Sequence, residues 1–219
     1  MSPILVRVLP FALYMVVLVV EDILLKFIPE FDVRWMYPVK AGLAALALAV
    51  LWRHYDELKR WGLSSLNLLL SVAVGVVVLV LWVNLDASWM LVGDMGEGFD
   101  PRDEAGQIDW VLVAIRIAGA ALVVPLMEEI FWRSFLQRWI QQQNFLALDP
   151  ARIGFKALLI ASVLFATAHL QWLAAVIAGL AYGWLYIRTR NLWAPVVAHA
   201  VTNGGLGAYV VLAGEWRFW

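Results

Sequence analysis

Seven apolar stretches, each close to the length that crosses a bilayer, constrain this chain more than any single residue does. A hydrocarbon core of about 30 Å takes about 20 residues of helix. Runs of that order lie at Ile4–Leu25, Tyr37–Trp52, Leu66–Leu85, Trp110–Phe131, Ala157–Trp172, Leu173–Ile187 and Leu192–Leu212. Lipid offers no partner to backbone N–H and C=O groups, so segments this apolar must close their hydrogen bonds internally, as helices. The expected fold is all-α: a polytopic transmembrane helical bundle of about seven membrane helices, forming a single integral membrane domain over residues 1–219. Composition agrees, because 63% hydrophobic and 15% charged residues lie outside the range of soluble domains. The first run has Glu21 and Asp22 near its end and no small-residue cleavage pattern, so it reads as a retained helix and not a signal peptide.

The charges exclude several functions and suggest an orientation. A net charge of −1 without a clustered Lys/Arg face argues against nucleic acid as a partner. The absence of cysteine removes thiolate catalysis, thiolate metal sites and disulfides. Arg7, the group Arg53, Lys59 and Arg60, the group Arg133, Arg138, Arg152 and Lys156, and the pair Arg188 and Arg190 fall at alternate ends of successive spans. By the positive-inside rule the amino terminus is cytoplasmic and Trp219 lies on the far side. The Asp86 to Asp109 connection sets Asp94, Glu97, Asp100, Asp103 and Glu104 against Arg102, which suits that far side. It is rich in glycine but lacks the spacing of an EF-hand, and it reads as a solvated acidic face.

Against this background, ionisable and amide side chains inside the apolar runs mark a working site, since each is costly at bilayer depth. Glu128, Glu129 and Arg133 lie at or just beyond the end of the fourth span. Glu129 and Arg133 are neighbours at i, i+4, so the arginine neutralises that acid. Glu128 points about 100° away and needs a partner from another helix. Pro125 removes a helical N–H, so a kink or widened turn belongs beside the acids. His169 follows Phe165 by one turn. His199 and Asn203 share a face, with Ala198, Ala200, Gly204 and Gly205 permitting close approach, and Gly179 and Gly183 have the small-xxx-small spacing of a packed membrane helix.

A carboxylate in low dielectric can act as a general base toward water, two imidazoles can orient that water or protonate a leaving amine, and an amide can donate to an oxyanion. Together they suit peptide hydrolysis by an integral-membrane endopeptidase acting on a membrane-associated protein or peptide, with its cavity opening toward the cytoplasm. A divalent metal such as zinc, held by histidines and glutamate from separate helices, is an open alternative, although no His-Glu-x-x-His run exists. A transporter would use the same polar residues for ions, but no inverted repeat is evident. One conflict stands out: about 20 Å of helix separates Lys156 from His169, whereas Glu128 sits near the cytoplasmic end of its span. Straight, full-length helices could not bring the two together, so a short hairpin and a deeper Glu128 are expected.

Glu-Glu-x-x-x-Arg at 128–133, Phe-x-x-x-His at 165–169 and His-x-x-x-Asn at 199–203, with Arg188-Thr189-Arg190-Asn191-Leu192-Trp193-Ala194-Pro195 leading into the last, resemble the CPBP family of intramembrane proteases. That family includes the type II CAAX prenyl endopeptidases and the bacterial Abi proteins, and the likeness covers residues 124–205. It implies that Glu128 activates water, Glu129 and Arg133 form a supporting pair, His169 shares the water site, and His199 with Asn203 stabilises the oxyanion. Cofactor use and oligomeric state stay open. The layout and the tail Gly214-Glu215-Trp216-Arg217-Phe218-Trp219 are similar to a bacterial subgroup associated with exosortase and PEP-CTERM systems, which implies the bacterial inner membrane. A non-catalytic Abi-type immunity or scaffold protein is the alternative the same resemblance allows.

Overall fold

The computed structural model describes residues 1–28, 32–96, 98–103 and 105–219. Seven principal helices account for the fold: α1 (Pro3–Phe27), α2 (Met36–Leu51), α3 (Ser65–Asn84), α4 (Trp110–Gln141), α5 (Phe155–Ala166), α6 (Trp172–Thr189) and α7 (Trp193–Ala213). Short 3-10 turns join them, and among the described residues the only β pairing is an isolated antiparallel bridge between Arg102 and Ile108. Helices α1, α3, α4, α7 and the segment Val33–His54 are long and apolar enough to cross a membrane. Their outward side chains, such as Val16, Val19 and Val20 on α1 and Leu69, Val77 and Val80 on α3, are exposed apolar groups suited to lipid. This is an integral membrane protein.

The helix ends follow from local chemistry. The Ser2 hydroxyl accepts from Leu5 N–H ahead of Pro3, the Ser64 hydroxyl accepts from Asn67 N–H, and Asp109 accepts from the N–H groups of Val111 and Leu112. Each satisfies donors that a helix start leaves open. Helix α7 stops where Gly214 takes a left-handed conformation at φ +70°, available to glycine without a Cβ clash.

The two ends of the bundle differ in chemistry. At one, Arg7 pairs with Glu57 at 2.8 Å, Arg190 faces Asp149 at 3.7 Å, and the Asn191 amide donates to Trp61 O at 2.7 Å. At the opposite end, Arg217 pairs with Asp86 at 2.9 Å, Phe99 N–H donates to Trp219 O, and the Trp172 indole donates to Trp89 O. The acidic connection belongs to this second end. Its Glu97 and Glu104 lie outside the described residues.

Two departures from the sequence expectations position the site. First, α4 does not stop at Phe131 but runs ten residues further, to Gln141. Arg133 and Arg138, counted in the sequence among the charges at a span end, are buried, as is Gln137 between them. Arg138 stays inside because it donates to the carbonyl and hydroxyl of Ser134 at 2.6 and 2.8 Å. Second, α5 has only 12 residues and turns back through Thr167–Gln171 into α6, so this pair is a short hairpin whose tip lies at the second end of the bundle. The Gln171 amide ties its tip to the carbonyls of Trp82 and Leu85 at the end of α3.

These departures resolve the conflict in depth. Glu128 is thirteen residues before Gln141, and His169 is fourteen after Phe155, so each lies about 20 Å along its helix direction at about 1.5 Å per residue. Gly154 N–H donates to the Gln141 side chain at 3.1 Å, which sets the two starting points level. Close packing holds the remaining helices at that depth. A Cβ on Gly75 of α3 would fall 2.4 Å from Ala198 O of α7, and Cβ atoms on Gly179 and Gly183 would strike Ser162 and Leu158 of α5. The small residues thus pack as their spacing predicts.

Candidate active site

Glu128, His169, His199 and Asn203 line one cavity of about 450 Å³. Three separate elements therefore converge on it: the middle of α4, the hairpin tip and the first half of α7. Glu128 is 8% exposed, and its Oε2 has no hydrogen-bond partner among the described residues. It presents an acceptor that no other helix occupies, and the expected partner from elsewhere is not found.

Glu129 lies behind the cavity wall and is fully buried. Its Oε1 accepts from His199 Nδ1 at 2.8 Å, and Arg133 Nε lies 3.0 Å from its Oε2. That second contact is an ion pair without a well-directed hydrogen bond. Arg133 is held in turn between aromatic faces, 4.6 Å from the centre of the Phe165 ring and 5.4 Å from that of Tyr182. Tyr182 stacks on His199 with ring centres 5.0 Å apart, and its hydroxyl donates to Thr202 at 2.7 Å. A carboxylate on one ring nitrogen and an aromatic face across the ring fix the orientation of His199 and leave Nε2 as its free nitrogen.

His169 is anchored in the same way by a different acceptor. Its Nδ1 is 2.9 Å from Phe165 O, a carbonyl that can only accept, so Nδ1 carries the proton and Nε2 is the basic nitrogen. Phe165 lies against its face at 4.5 Å between ring centres, and Trp82 meets it edge-on at 5.6 Å.

The widened turn predicted from Pro125 is present, and it explains where Asn203 sits. Gly119–Val123 is π-helical, with Val124 N–H reaching back five residues to Gly119 O. The next bond in that register would run from residue 125 to Ala120 O, but Pro125 has no N–H to give. The Asn203 amide supplies the donor, at 2.9 Å from Ala120 O. One of its two N–H bonds is thus committed to positioning, and one remains. A second π segment, Ile130–Gln137, follows the two acids.

Zinc in a catalytic site usually takes three protein ligands. Among the described residues no three His, Asp or Glu side chains are grouped to hold a metal, and Glu129 is engaged by Arg133 and His199.

The cavity lining reaches one end of the bundle and not the other. Its lining extends to Met95, Leu170, Gln171 and Arg217 through Trp219, at the end of the acidic connection and away from the basic end. Tyr37, Lys40, Arg116 and Tyr182 are cavity residues that the motif reading missed. Lys40 and Arg116 carried the signal that singled out His169, an ionisable group inside an apolar run, whereas Tyr182 had none.

Residues 110–205 match the type II CAAX prenyl endopeptidase Rce1-like family. Among curated proteins, "Putative membrane peptidase YdiL" of Bacillus subtilis is 34% identical over 94 residues, a stretch that takes in 42% of this chain and 35% of that relative. No solved structure matches. The two matches support the CPBP resemblance over the segment that holds its three motifs.

Proposed function

We propose that this protein is an intramembrane endopeptidase in which Glu128 activates water. The observation that carries the reading is the free, buried Oε2 of Glu128 in the same cavity as the two anchored imidazoles. Glu128 takes a proton from water as its oxygen bonds to the peptide carbon. The same proton then passes to the departing amine nitrogen as the C–N bond breaks. His169 Nε2 accepts from the water and orients it. His199, oriented by the Glu129 carboxylate behind Nδ1, directs Nε2 at the reacting centre, and the remaining Asn203 N–H donates to the developing oxyanion. Residues 1–219 act as one domain, with the chemistry confined to 124–205.

The basic end faces the cytoplasm of a bacterial inner membrane in this reading, so the cavity faces the opposite compartment. Substrate is a membrane-associated polypeptide entering from that side. The test is cleavage of a tethered peptide in proteoliposomes by wild type, Glu128→Gln and His169→Ala, with expression and monodispersity measured alongside. Glu128→Gln is expected to lose at least 1000-fold in rate while remaining folded. Unchanged turnover in either variant refutes the assignment.

A further inference from the structure

We propose that Tyr37, Lys40 and Arg116 form a subsite of this cavity that holds a carboxylate of the peptide substrate. The inference rests on the peptidase reading for the identity of the ligand, but its geometry is independent of Glu128. Among described side chains lining the cavity, those of Lys40, Arg116 and Arg217 are cationic and that of Glu128 is the single carboxylate. Two of the cations are answered by the protein itself. Lys40 pairs with Glu21 at 3.1 Å, and Arg217 pairs with Asp86 and Glu215, both at 2.9 Å.

Arg116 differs. It is caged by rings, with its guanidinium carbon 4.4 Å from the centre of Tyr37, 4.8 Å from Phe99 and 5.7 Å from Trp219. Cation–π contacts of this kind offset part of its desolvation but satisfy none of its five N–H donors. Among the described residues it has no carboxylate or hydrogen-bond partner. Tyr37 supplies a second, independent sign of a missing ligand: it is 4% exposed, lines the same cavity, and its buried hydroxyl has no partner. Lys40 lies 5.6 Å from the Tyr37 ring, so hydroxyl, ammonium and guanidinium gather at one place on α2 and α4. A planar anion is what such donors bind, with the guanidinium able to meet a carboxylate through two parallel bonds.

The subsite also sets a spacing. Arg116 precedes Glu128 by twelve residues on α4, about 18 Å at about 1.5 Å per residue. Extended peptide covers that distance in about five residues at about 3.3–3.6 Å each. The bound carboxylate therefore lies about five residues from the bond presented to Glu128, on the side of the acidic connection. It belongs either to an acidic side chain at that position or to a chain end.

The test uses full-length protein carrying Glu128→Gln, so that nothing is cleaved. Binding is measured for four apolar ten-residue peptides: one with an internal Glu, its Gln counterpart, one with a free carboxyl end, and its amide. At least one acid is expected to bind about tenfold tighter than its neutral partner, and which one does identifies the source of the carboxylate. Arg116→Gln should erase the preference, Arg116→Lys should keep part of it, and Tyr37→Phe should weaken it with the charge untouched. Equal binding of acids and neutral partners, or a preference that survives Arg116→Gln in monodisperse protein, overturns the proposal. So does loss of the preference when phosphatidylglycerol replaces phosphatidylcholine in nanodiscs, because a lipid phosphate then owns the site. Discrimination without cleavage in the protein with Glu128 intact would sink the peptidase reading alone, and cleavage without discrimination would sink the subsite alone.

Discussion

Replacing Glu129 with Gln isolates the buried charge system on which the site is built. Arg133 Nε is 3.0 Å from Oε2, and the two side chains are 2% and 0% exposed. At an effective dielectric of about 20, unit charges at that distance attract by about 5 kcal/mol. Removing one partner of a buried pair typically costs about 3–5 kcal/mol, because the other charge is left without compensation. Glu129→Gln should therefore be among the most destabilising single changes in the chain. Arg133→Met made on top of it removes the orphaned guanidinium, and the double variant should recover most of the loss, with a coupling of at least about 2 kcal/mol. Activity should not return, since His199 still lacks a carboxylate behind Nδ1. The assay is a double-mutant cycle of denaturant unfolding in detergent micelles, with cleavage measured on the same samples. Additive stabilities, or a Glu129→Gln cost below about 1 kcal/mol, would refute the coupling argument.

Four further outcomes follow from individual contacts. Gly75→Ala drives a methyl to within 2.4 Å of Ala198 O, so it should cost about 1–3 kcal/mol and lower turnover by shifting the helix that bears His199; a thermal melt and a rate measurement check both. Pro125→Ala restores an N–H that competes with Asn203 for Ala120 O, and activity should fall while the protein stays folded, as cleavage and circular dichroism together would show. Burial alone would raise the Glu57 carboxyl, but hydrogen bonds from Arg7 and Ser134 outweigh it and hold the group below its ordinary value of 4.5. Its contribution to stability is then complete above about that pH and is lost as pH falls through the folded value, so Glu57→Gln should flatten stability measured across that acid range. Tyr182→Leu removes the ring stacked on His199 and one face of the Arg133 cage, and should reduce the rate constant more than it changes substrate affinity, readable from steady-state kinetics.

Local relationships were legible in the sequence, because they depend on residues within a turn or two of one another. Apolar run lengths dictated a helical membrane bundle, the i, i+4 spacing of Glu129 and Arg133 dictated their pairing, and the missing N–H of Pro125 dictated a widened turn. What only the tertiary structure decided was depth and direction. Whether α4 ends at Phe131 or at Gln141 depends on whether Arg133, Gln137 and Arg138 find partners inside, and Arg138 is held through Ser134 with Glu57, from the connection between α2 and α3, sharing the cluster. That extension places Glu128 level with His169 at the tip of the α5–α6 hairpin. It also leaves the cavity facing the acidic end, where Arg116 and the tail residues Arg217 to Trp219 complete its lining. A desolvated charge is tolerated only where distant segments meet it, and that meeting is a property of the folded chain.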